Sequence, residues 1–145
     1  MKSPLIITNE AELDPFAQYI STKCHETYCI ALHGDLGAGK TTFVKHLGNQ
    51  WNISDVKSPS FGIVDVHYGA KTLIHIDAYR LKEGNINSFD LDDLCTPPYC
   101  LIIEWPERLN QAFHFDLHIY FSILSNGSRQ IKWTEKSLSQ KRIIE

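Results

Sequence analysis

The sequence has no hydrophobic run near the ~20 residues needed to cross a bilayer, which excludes a membrane-spanning helix. It has no internal repeat, low-complexity tract or linker-like segment, so solenoids and tethered multidomain arrangements are excluded as well. Basic charge is not in excess: 14 Lys and Arg stand against 17 Asp and Glu, for a net charge of −3. That balance argues against a strong nonspecific grip on nucleic acid, while leaving room for a local basic patch. Met1-Lys2-Ser3-Pro4 runs into a short strand-like stretch rather than a signal sequence. The four cysteines, Cys24, Cys29, Cys95 and Cys100, form no C-x-x-C pair. They read as free thiols of a cytoplasmic protein, and their C-x4-C spacings make a poor zinc set.

What is present is enough for one folded unit. The 145 residues, 43% hydrophobic and 21% charged, are expected to form a single domain spanning 1–145. A chain of that length buries roughly 70% of its extended surface, enough for a real core.

One stretch organises the rest. Gly34-Asp35-Leu36-Gly37-Ala38-Gly39-Lys40-Thr41 matches the phosphate-binding loop G-x-x-x-x-G-K-[ST] without a mismatch. The chemistry requires these residue types. Backbone N–H groups can wrap a polyphosphate only where no Cβ intervenes, and Gly34, Gly37 and Gly39 carry none. Lys40 can set an ammonium between the outer phosphates. The Thr41 hydroxyl is a hard oxygen donor of the kind magnesium prefers. Thr42 to Leu47 reads as a helix whose N-terminal dipole, with the amides of Gly37 to Thr42, would face the phosphates. Tyr28 to Leu32, just upstream, is apolar enough for a buried strand. Average composition yields this pattern by chance in only about 1 in 200 chains of such length. An ordinary glycine-rich turn would leave Lys-Thr at the helix start unexplained.

Around the loop, the pattern predicts an α/β fold. Leu5-Ile6-Ile7 reads as an edge strand. Thr8 or Asn9 caps a helix that carries Glu10 and Glu12 in its first turn and ends near His25. The loop helix runs to about Trp51. Strands around Ile63 to Val66 and Leu73 to Ile76 form a hairpin across Tyr68 to Lys71. Ile86 to Leu94 is a short helix stopped by Thr96-Pro97-Pro98. Tyr99 to Ile103 is the most apolar stretch and the best central parallel strand. Phe115 to Phe121 alternates apolar and polar residues, Asn126-Gly127 turns, and Arg129 to Trp133 returns as a C-terminal β-hairpin. Ser137 to Glu145 reads as a last helix.

A phosphate loop needs an acidic partner at the end of a neighbouring apolar strand, and Asp77 and Glu104 both stand at such ends. One can hold magnesium with Thr41 while the other orients an attacking water. Ser58-Pro59-Ser60-Phe61 offers hydroxyls on a proline-fixed turn that can sense a terminal phosphate. His114, Asp116 and His118 share a strand face by period two. Three residues on one strand converge poorly on an ion, so they read as a polar sheet face. His33, ahead of the loop, reads as structural.

Taken together, the loop, Ser58-Pro59-Ser60-Phe61, His75-Ile76-Asp77-Ala78-Tyr79-Arg80-Leu81 and Ile103-Glu104-Trp105-Pro106-Glu107 resemble the TsaE family, in order and spacing, over about residues 5–133. The resemblance implies a compact phosphate-loop NTPase fold with a mixed, mostly parallel sheet and flanking helices. It implies ATP and Mg2+ as ligands, with Thr41 and Glu104 holding the metal. Asp77 and Trp105 would act near the nucleotide, and Glu10 and Arg129 would approach its remainder. It further implies a weak ATPase working on TsaD-like and TsaB-like partners, which place threonylcarbamoyl on adenosine 37 of tRNA. The tRNA would be reached only through that complex. The family usually has Thr where this chain has Ser60, and Thr where it has Leu13. Two other readings stand beside this one: a non-catalytic nucleotide-binding switch module, and a small-molecule kinase. The kinase is disfavoured because no Arg-rich lid segment follows the loop helix.

Overall fold

The computed structural model describes residues 1–57, 64–79, 88–109 and 113–136. Its frame is a seven-stranded sheet in the order β1-β7-β6-β2-β5-β4-β3. The strands are β1 (Leu5–Ile7), β2 (Thr27–His33), β3 (Val64–His67), β4 (Thr72–Asp77), β5 (Tyr99–Glu104), β6 (Leu117–Ile123) and β7 (Arg129–Glu135). The middle of the sheet is parallel: β2 pairs with β6 and β5, and β5 with β4. Antiparallel strands close both sides, β3 beyond β4, and β7 then β1 beyond β6. This is the mixed sheet that the resemblance implies, and its parallel centre contains β5, the apolar run read as the central parallel strand.

Strand alternation sorts the core onto two faces. Tyr28, Ile30 and Leu32 of β2 and Ile102 of β5 face α1 (Leu13–Ser21) and α2 (Lys40–Asn49), against Phe16, Ile20, Phe43, Val44 and Leu47. Phe16 ties the layers: its ring centre lies 5.4 Å from that of Phe43 and 4.9 Å from that of Trp133. Full burial of each such side chain contributes about 1.5–3 kcal/mol. On the other face Ile74, Ile76, Leu101 and Ile103 pack with Leu91 of α3 (Ser88–Leu94).

The first helix is shorter than the apolar pattern suggests. Glu10–Glu12 is a 3-10 turn capped by the Asn9 carboxamide, which accepts the Glu12 N–H at 3.3 Å, and α1 starts only at Leu13. Pro15 explains the split, since it has no N–H to give to the Ala11 carbonyl. At the other end α1 stops at Ser21, not His25. The Ser21 and Thr22 hydroxyls donate back to the Gln18 and Tyr19 carbonyls, each at 2.6 Å. Such side-chain bonds compete with the helical ladder. The helix expected from Ile86 is described from Ser88, while Ile63, the Ser58–Phe61 turn and the helix expected at 137–145 lie outside the described residues. All four cysteines are free thiols. No helix among the described residues is long and apolar enough to cross a membrane.

His114 and Asp116 precede β6 and only His118 lies on it, so the three do not share a strand face. Asp116 accepts the Cys29 N–H at 2.9 Å, and His118 turns to His33, Nδ1 to Nε2 at 2.9 Å, with their rings stacked. Burial, reinforced by the neighbouring His118, pulls the His33 pKa below the ordinary value near 6.5. Burial, with Lys136 adding to it, does the same for His118. Both imidazoles therefore bind protons more weakly in the folded than in the unfolded chain. Their contribution to stability is present above pH 6.5 and falls away as pH drops through their lower folded values. Urea unfolding at about pH 8 and about pH 5.5, on either side of the ordinary histidine value, is expected to show this loss. A His33→Gln/His118→Gln double variant should lose less; an equal loss would remove the pair as its source.

Candidate functional site

The site forms where β2 leaves the sheet. Gly34 has φ of 143°, and a Cβ there would lie 2.5 Å from the Phe121 carbonyl oxygen, so only glycine lets the loop pass β6. Gly39, at φ of 114°, caps α2 in the left-handed region. The helical ladder begins with Phe43 N–H to the Gly39 carbonyl at 2.9 Å, so the loop's amides lie ahead of it. The hairpin turn between β6 and β7 braces the loop from the side. Arg129 donates to the Gly127 carbonyl at 2.6 Å and to the Gly37 carbonyl at 3.3 Å. The Asn126 carboxamide shapes that turn by accepting from the Ser128 N–H at 3.0 Å.

A cleft of about 660 Å³ opens over this loop. Gly37, Ala38, Gly39, Lys40, Thr41 and Thr42 line it, together with Asp77, Glu104, Trp105, Glu10 and Arg129. Residues from five separate stretches of chain thus meet in one cavity. Ser58 lies outside the described residues.

Within the cleft, Lys40 is only 5% exposed. Its ammonium donates to the Gly34 carbonyl and lies 3.9 Å from the centre of the Trp105 ring. Burial lowers the Lys40 pKa from its ordinary value, while the carboxylates of Glu104 and Asp77 oppose that shift. The Thr41 hydroxyl donates to Glu104 Oε2 at 2.9 Å, joining helix α2 to the end of β5. Asp77 stands level with Glu104 in the parallel pairing of β4 and β5, and its Oδ1 accepts the Tyr79 N–H at 3.0 Å.

Trp105 is left-handed, with φ of 59°. A left-handed non-glycine backbone costs roughly 1–2 kcal/mol, and such strain concentrates at working sites. Here the twist ends β5 and turns the indole toward Lys40. The ring is backed by Tyr79, centre to centre 5.0 Å, and by the Arg108 guanidinium at 5.3 Å.

The donors fit an anionic polyphosphate with a hard cation. A loop opened by three glycines and a sheltered ammonium suit phosphate oxygens, and the Thr41 hydroxyl with the Glu104 carboxylate offers hard oxygen ligands. Magnesium is characteristically held by one or two carboxylates, with substrate phosphates and water completing its shell, so a large protein ligand set is not needed.

Two residues here were not singled out from the sequence. His75 is fully buried, and its Nε2 lies 2.5 Å from Glu104 Oε2. The available signal was period two on a strand, which sets His75 on the same face as Asp77. His46 of α2 lies 2.6 Å from Asp14 and 3.2 Å from Glu10, fastening the cleft's far rim to the loop helix. No local pattern joins residues that distant in sequence.

Fold and site together define a phosphate-loop α/β protein, its glycine loop set between a central strand and the helix that follows. The model of the TsaE family, described as threonylcarbamoyl adenosine biosynthesis protein TsaE, matches residues 7–133, and the chain belongs to that family. The chain is 32% identical to the tRNA threonylcarbamoyladenosine biosynthesis protein TsaE of Aquifex aeolicus, covering 88% of this chain and 92% of the relative. It is 34% identical to the protein of that name from Treponema pallidum, over 70% of this chain and 78% of the relative. The crystal structure of Bacillus subtilis YdiB superposes with a TM-score of 0.69 at 25% identity, covering 97% of this chain and 90% of that one.

Proposed function

We propose that this protein binds ATP with Mg2+ in the phosphate-loop cleft and hydrolyses it slowly in the cytoplasm. On this reading it supports threonylcarbamoyl modification of tRNA adenosine 37 by acting on a TsaB–TsaD-like pair, and meets tRNA only through that pair. The observation that carries the reading is the joining of Thr41 to Glu104 at 2.9 Å in the cleft that also holds Lys40 and Asp77.

Each residue has a task that follows from its chemistry. The loop amides and Lys40 bind and orient the outer phosphates. Thr41 and Glu104 would hold magnesium, which supplies charge neutralisation at the phosphate oxygens. Asp77 orients water for in-line attack. Trp105 shields Lys40 from solvent and, through its ring, senses whether the ammonium has turned from the Gly34 carbonyl to a phosphate. Arg129 and Glu10 border the rest of the nucleotide. Turnover by such a domain is best understood as coupled to a partner. By linkage, a nucleotide that tightens partner binding is itself bound more tightly in the complex.

The test is phosphate release by the protein alone and with a TsaB–TsaD-like pair, alongside partner affinity with an ATP analogue, with ADP and without nucleotide. Slow release alone and a nucleotide-dependent affinity are expected. ATP binding without any release would instead make this a non-catalytic switch module. Equal partner affinity in every state would leave an ATPase without a switch. A phosphorylated small-molecule acceptor would make it a kinase.

A further inference from the structure

The role of His75 rests on the nucleotide–magnesium reading of the cleft. His75 lies opposite Ile102 in the pairing of β4 with β5, while Asp77 lies opposite Glu104. The imidazole therefore meets the Glu104 carboxylate diagonally, from the neighbouring strand. Its Nε2 is 2.5 Å from Glu104 Oε2, the same oxygen that receives the Thr41 hydroxyl at 2.9 Å. His75 is 0% exposed and Glu104 only 2%. With the carboxylate oxygen as the acceptor, His75 Nε2 is the donor of this bond. His75 Nδ1 is buried and has no hydrogen-bond partner among the described residues.

This is an unfavourable way to fill a core position. An aliphatic residue at 75 would bury no unsatisfied nitrogen, and Leu73, Ile74 and Ile76 show that the buried part of the strand is otherwise aliphatic. Among the described residues the one polar contact that the ring makes is with Glu104, so the advantage of a histidine here acts through that carboxylate. We propose that His75 is a positioning residue. It holds Glu104 in the orientation in which its carboxylate and the Thr41 hydroxyl can share one hard divalent cation. The Thr41 hydroxyl can go on donating to Glu104 while its lone pairs face the cation. Among the described residues, Thr41 is the other side chain bonded to that carboxylate, and it must itself serve the metal. Partners that orient a metal-binding carboxylate in this way commonly change metal affinity 10–100-fold.

The experiment is calorimetric titration with a non-hydrolysable ATP analogue, in magnesium and in EDTA, for the wild type, His75→Leu, His75→Gln and Glu104→Gln. In the wild type, magnesium should tighten binding. In His75→Leu this gain should shrink about 10-fold, with affinity in EDTA unchanged, because the loop and Lys40 are untouched. His75→Gln, which can again present a nitrogen donor to Glu104, should recover most of the gain. In a Glu104→Gln background His75→Leu should cause no further loss. Thermal unfolding accompanies each variant; if His75→Leu does not fold, His75→Asn, whose amide is too short to reach Glu104, takes its place with the same expected loss. A full magnesium gain in His75→Leu overturns the proposal. So does an equal loss in EDTA, or an equal loss in the Glu104→Gln background. Those results leave the magnesium reading standing, whereas a wild type indifferent to magnesium removes that reading and the role of His75 with it.

Discussion

Lys40→Ala is expected to weaken binding of a non-hydrolysable ATP analogue by about 10- to 100-fold, as measured by calorimetry. Charge-assisted hydrogen bonds contribute roughly 1.5–3 kcal/mol each, and about 1.4 kcal/mol corresponds to a factor of ten. The Lys40 ammonium is held in a nearly closed position between the Gly34 carbonyl and the Trp105 ring. It needs only to exchange the carbonyl for a phosphate oxygen, so little ordering of the side chain opposes binding. The variant removes that cation and leaves the aromatic face of Trp105 without its partner. Thr41→Ala should behave differently, losing affinity mainly in magnesium and little in EDTA. Unchanged affinity in Lys40→Ala would remove the phosphate-loop reading of the cleft.

The second large effect separates the two carboxylates. Glu104→Gln is expected to lose most of the magnesium-dependent gain in affinity, about 10-fold or more by analogy with other disturbed metal shells. The amide oxygen can still accept from His75 and Thr41, so the fold around it should survive. Asp77→Asn is expected to bind ATP and magnesium normally but to release phosphate about 100-fold more slowly, the lower range for a lost proton-handling group. The geometry motivates the split: Glu104 is bonded to Thr41 and nearly buried, while Asp77 is half-buried and bonded to backbone. Magnesium titrations in which Asp77→Asn loses the metal and Glu104→Gln keeps it would exchange the roles.

The strands were legible wherever the pattern was strong. Tyr99 to Ile103 is apolar at every position because both faces of β5 are covered, and such a run admits little but a central strand. Leu117, Ile119 and Phe121 alternate with polar residues because one face of β6 meets the helices and the other does not, whereas Phe115, ahead of β6, packs on the opposite face beside His118. The helices were less legible at their ends. The residues from Leu13 to Cys24 keep an apolar period, but hydroxyl back-bonding from Ser21 and Thr22 ends α1 earlier. Apolar periodicity reports which face is buried and says little about where the backbone ladder stops.

By itself the sequence determined the phosphate loop, since Gly34, Gly37, Gly39, Lys40 and Thr41 are close enough along the chain for local geometry to bind them into one structure. It also determined the carboxylates at two strand ends, because an apolar run closed by Asp77 or Glu104 is visible without any neighbour. Only the tertiary structure decided how these pieces meet. The parallel register of β4 on β5 sets Asp77 level with Glu104 and swings His75 onto the same carboxylate. The β6–β7 turn brings Arg129 against Gly37, and helix packing brings His46 to Glu10 and Asp14. These contacts join residues 29 to 92 positions apart. No periodicity encodes such pairs; they exist because burial of the two sheet faces leaves the chain one register and one set of helix positions in which to fold.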